Sequence, residues 1–73
     1  MRTTEVASEL VANVLQVLVQ VGQPVAEGDE LVMLESMKME IPVLAPHAGT
    51  VQAVRTAVGD VVQDGDVMVV VQG

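Results

Sequence analysis

The 73-residue chain has no cysteine, no aromatic residue and a single lysine. Without cysteine there is no disulfide framework to read, and without aromatics the core falls to aliphatic side chains, valine above all. Basic residues are scarce: three stand against ten acidic ones, and the formal net charge of −7 speaks against nucleic acid or an anionic membrane surface as a partner. No apolar run approaches the roughly 20 residues that cross a bilayer. The N-terminal residues lack the basic, apolar and cleavage-site order of a secretion signal, so a cytoplasmic location is expected. Length sets a further limit, since a chain this short buries only about 60% of the surface its unfolded form exposes and has little room for a catalytic cleft. Function is expected on the surface, without catalysis. The acidic balance itself reads as a solvated exterior that favours solubility.

What is present is a strand-and-turn pattern that occurs twice. Residues 1–4 carry no periodicity and are expected to fray, leaving one domain over 5–73. Strands are predicted over 5–10, 13–21, 30–35, 39–44, 50–58 and 67–71, with a very short one at 25–26 between turns. Gly22, Gly28, Gly59 and Gly65 mark structural turns whose backbone conformation side chains disfavour. They align at a constant offset, 59 − 22 = 37 and 65 − 28 = 37, and the match carries Val14 and Val17 onto Val51 and Val54 and Met33 onto Val70. Two similar four-strand units imply a quasi-two-fold axis and an all-β fold: a flattened barrel or sandwich of two four-stranded sheets. Pro42 cannot donate to a ladder, so its nitrogen is predicted to face an edge or a non-bonded position, and its strand not to be central along its whole length.

The lone lysine sits where the two units join, in Glu35-Ser36-Met37-Lys38-Met39-Glu40. Apolar runs at 30–34 and 41–44 flank this stretch, which places Lys38 at or near a hairpin tip, held off the sheet and open to solvent. Met37 and Met39 at such a tip read as soft contact surface rather than core filling. Glu35 and Glu40 resemble a carboxylate pair, but with no second catalytic group beside them they read as solvated flanks or recognition contacts. His47 has no cysteine or second histidine to join it in a metal site and reads as plain surface. Asp29, Asp60, Asp64 and Asp66 lack the spacing of a twelve-residue calcium loop, and turn chemistry accounts for them better. The valine run at 67–71 would pair with another chain if its edge were left uncovered.

The sequence from about residue 5 to residue 71 resembles the biotinyl/lipoyl attachment domains. Met37-Lys38-Met39 looks like the hairpin of biotin carboxyl carrier domains, and Ser36 stands where many of them have alanine, a small-for-small change. The resemblance implies biotin as the covalent cofactor on Lys38, with Glu35, Ser36, Met37, Met39 and Glu40 as contacts for the ligase or for biotin. It also implies a biotin protein ligase, a biotin carboxylase and a carboxyltransferase as partners, and a carrier rather than an enzyme. Lipoyl domains usually lack the two methionines and carry an acidic residue just before the lysine. A lipoyl carrier and an unmodified protein-interaction module are the alternatives.

Overall fold

The computed structural model describes residues 2–73 as eight strands. They are β1 (Thr3–Ala7), β2 (Ala12–Val17), β3 (Pro24–Val25), β4 (Glu30–Ser36), β5 (Met39–Leu44), β6 (Gly49–Val54), β7 (Val61–Val62) and β8 (Val67–Gln72). Two antiparallel four-stranded sheets result, ordered β1-β8-β6-β3 and β5-β4-β2-β7. The offset of 37 residues carries β2 onto β6 and β3 onto β7 residue for residue (49 − 12 = 37, 61 − 24 = 37). It also exchanges β1 with β5 and β4 with β8, and so converts one sheet order into the other. The expected fold is the observed one.

Irregularities repeat as faithfully as strands. The β2–β4 ladder slips between Val14 and Gln16, and the β6–β8 ladder slips between the equivalent Val51 and Ala53. Leu31 and Met68 occupy the equivalent bulges opposite β5 and β1, and neither has any solvent exposure. Around them the buried set is paired across the axis: Val14 with Val51, Val32 with Val69, Leu34 with Val71 and Val25 with Val62. Each such side chain contributes roughly 1.5–3 kcal/mol on burial, and this valine-dominated interior replaces the missing aromatics.

Four turns share one construction. Gly22, Gly28, Gly59 and Gly65 have φ between 88° and 94°, each one residue before an N–H that closes back on the carbonyl three residues earlier. Positive φ at the third turn position is where glycine is needed. The residue after each glycine then caps the turn with its side chain. Asp29, Asp60 and Asp66 accept the N–H of Ala26, Ala57 and Gln63 at 2.8, 2.9 and 2.8 Å, while Gln23 accepts that of Gln20 at 3.2 Å. Gly49 has a different reason to be small. It opens β6 beside Gln72, whose carbonyl a Cβ would strike.

The structure corrects several expectations. β1 begins at Thr3, so residues 3–4 are paired with β8 rather than frayed; Met1 lies outside the described residues. The predicted strands over 13–21 and 50–58 end at Val17 and Val54, because the chain leaves each ladder to cross between the sheets. At the first crossing Leu18 N–H bonds to Leu31 and Val19 is buried. β8 is not an open edge: β1 and β6 flank it on both sides. Pro42 does lie on an edge strand, since β5 ends its sheet.

Candidate functional site

β4 and β5 converge on a two-residue turn. Ser36 pairs with Met39, and Met37 and Lys38 form the loop between them. Their φ values of 54° and 66° put both in the left-handed region, as a two-residue type I′ hairpin requires. Such turns favour Asn-Gly, and a side-chain-bearing residue in this conformation costs roughly 1–2 kcal/mol. Glu35 and Glu40 stand directly opposite each other one step down the ladder, which adds a like-charge cost. The turn is held by the six register pairs of the β4–β5 ladder, anchored on the buried Leu34 and Val32. Residues unfavourable to their local structure at the tip of a well-held hairpin point to function.

The tip stands clear of the body. Lys38 is exposed, Met37 is 92% and Met39 63% exposed, Glu40 is exposed, and Glu35 and Ser36 are half-buried. The methionines therefore fill no core. A covalent acyl carrier needs a side-chain amine that another protein can surround, and the only lysine of the sequence meets that need. The sequence signals for this hairpin are thus brought together in one projecting element.

His47 is not plain surface. Its ring is buried, and Nδ1–H donates to the Ala48 carbonyl at 2.9 Å. That leaves Nε2 to accept the Thr4 hydroxyl at 2.8 Å, from a residue 43 positions away. The adjacent Arg2 and Gly73 exchange both backbone hydrogen bonds at 2.6 Å, and a Cβ on Gly73 would approach His47 Nδ1 to 2.8 Å. This cluster lies far from the hairpin. β5 carries the chain roughly 17 Å from Met39 to Leu44 at about 3.3 Å per residue, and residues 45–48 then reach Gly73, in a body 36 Å long and 18 by 17 Å across. Only the adjacent Pro46 marks His47 in the sequence, and its partner Thr4 lies in a stretch without periodicity.

The comparisons with known proteins agree with this frame. A family model described as "Biotin-requiring enzyme" matches residues 1–71. A Mycobacterium leprae protein described as a biotinylated protein TB7.3 homolog is 55% identical over 92% of this chain and 94% of its own length. A biotin/lipoyl attachment protein of Bacillus subtilis is 41% identical over 86% of each. Among solved structures, urea carboxylase of Kluyveromyces lactis superposes with a TM-score of 0.90 at 29% identity, covering 99% of this chain and 6% of that one. A family match across nearly the whole sequence, relatives of the same length and a shared two-sheet body leave one conclusion: this chain belongs to the biotin/lipoyl attachment domains, a family of non-catalytic carriers.

Proposed function

We propose that Lys38 is the residue biotinylated by a biotin protein ligase, and that the domain then carries carboxyl groups between a biotin carboxylase and a carboxyltransferase. The observation that carries this reading is the exposed Lys38 in a left-handed two-residue turn between two exposed methionines.

A lysine side chain in water is neutral in only about one molecule in a thousand near neutral pH, and only the neutral amine attacks an acyl group. The ligase must supply the base or the desolvation. Lys38 Nζ then attacks the acyl carbon of a biotinyl-adenylate held by the ligase and forms an amide, breaking the acyl–phosphate bond to release AMP and losing one proton to that base. Met37 and Met39 offer the ligase an adaptable apolar surface on either side of the amine. Glu35, Ser36 and Glu40 lie within the same hairpin and present polar contacts. Once attached, biotin supplies the group that takes up and releases carboxyl. The domain contributes reach: a tethered arm on a rigid hairpin has an effective concentration of roughly millimolar at each site it can span. The relatives described as biotinylated support biotin as the group.

Intact mass of the protein from its native host, with and without Lys38→Arg, tests the proposal. A biotin-sized increment that the variant lacks supports it. A lipoyl-sized increment would assign the domain to lipoate, and a biotin increment that survives in the variant would move the attachment elsewhere.

A further inference from the structure

β1 and β5 are equivalent edge strands, one in each sheet, yet their free edges differ. In an antiparallel pair, hydrogen-bonded and non-bonded residue pairs alternate. Arg2 and Gly73 exchange both bonds, so Thr4 with Val71 is the next bonded pair, and the N–H and C=O of Thr3 and Glu5 turn away from β8. The same alternation, counted from Ser36 and Met39, turns Glu40 and Pro42 away from β4. Pro42 has no N–H, so the outer edge of β5 lacks a donor there. Glu5 occupies the equivalent place in β1 (42 − 5 = 37) and keeps its donor. One edge is blunted and the other is able to pair with a further strand.

The surroundings of β1 define what would fit. On the inner side lies a groove of about 250 Å³ between β1 and β5, with Val6, Leu10, Leu34, Ile41 and Val43 in its lining beside the polar Ser8 and Glu9. On the outer side Glu5 borders a shallow depression with Thr3, Val70 and Arg55, and no ion pair joins Glu5 to Arg55 among the described residues. A strand added here would send alternate side chains beside Glu5 and into the groove. Glu9 in the groove wall adds negative charge beside it. A second copy of this chain does not fit. The longest antiparallel overlap of β1 with itself centres on Glu5 and sets two glutamates directly opposite, between bodies that each carry −7.

We propose that the β1 edge takes up an extended segment of a partner protein whose side chains alternate basic and apolar, the basic ones beside Glu5 and the apolar ones in the groove. The surface is separate from the hairpin and does not depend on what Lys38 carries.

The test is a titration of the isotope-labelled full chain with a short acetylated peptide alternating lysine with valine and threonine, followed by amide shifts and hydrogen exchange. Binding should shift and protect the amides of Thr3 and Glu5. Glu5→Pro, which the fold should accept because proline occupies the equivalent position in β5, should weaken binding at least about tenfold through loss of the outward donor. Glu5→Lys should transfer the preference to a peptide with glutamate in place of lysine. Four results would each overturn the proposal: equal binding of a same-charge peptide with proline at every second position, unchanged affinity in Glu5→Pro, shifts confined to the hairpin, or no binding at millimolar peptide.

Discussion

The Ser36–Met39 pair and the Arg2–Gly73 pair occupy equivalent places in the two halves (73 − 36 = 37, 39 − 2 = 37). In the first, Met37 and Lys38 close the pair into a hairpin; in the second, the chain's two ends lie side by side and a buried histidine sits against them. The same ladder therefore supports a projecting lysine turn at one end of the body and a hydrogen-bonded clamp at the other. The proposed carrier site owes little to a special scaffold. It is made by what connects the halves, and the left-handed Met37-Lys38 turn is tolerated because a core built twice over holds it.

The two ends of the body and its middle respond to different substitutions. The largest effect is expected at the hairpin. Lys38→Arg should abolish the covalent mass increment entirely, while the melting midpoint stays within about 4 °C of the parent, since an exposed tip contributes little to packing. A variant that melts far lower would mean that Lys38 has a structural role.

In the middle, Leu31→Ala and Met68→Ala should each cost about 2–5 kcal/mol in urea unfolding, because both side chains are fully enclosed at equivalent bulges. The two losses should be similar, and a large disparity would show that the halves do not share one core.

At the far end, His47→Ala should cost about 1–3 kcal/mol by stranding the partly buried Thr4 hydroxyl and the Ala48 carbonyl. Hydrogen exchange should quicken at Arg2, Thr4 and Gly73 and stay unchanged at Ser36 and Met39. Equal loosening at both ends would contradict the independence of clamp and hairpin.

The smallest effect is expected from Met37→Gly. Relief of the left-handed strain, offset by the greater freedom of glycine in the unfolded chain, should raise stability by about 0.5 kcal/mol. A fall instead would show that the methionine side chain stabilises the turn.

Much of this was legible in the residues. The glycine turns recurred at one offset, so the doubled fold followed, and with it the hairpin between the halves. Pro42 signalled a strand that is not central along its whole length, because a missing N–H is a property of the residue itself. Strand ends were less legible. Valine continues beyond Val17 and Val54, and nothing local says where a chain stops pairing with its neighbour and crosses to the other sheet. The burial of His47 is hidden for a similar reason, since a histidine beside proline looks like loop until its partner Thr4 arrives from the other end of the sequence.

The two-fold repeat, the valine core, the turns and the place of the single lysine follow from the residues alone, because each rests on local conformational preference or on a spacing between residues. Which ends are clamped, which valines are enclosed and which edge is open follow from the packing of the two sheets. Those depend on what stands opposite in space: Thr4 and His47 meet across 43 positions, and β1 and β8 pair from the two ends of the chain. The different fates of Glu5 and Pro42 become visible only once the register of the ladder shows which backbone groups face outward.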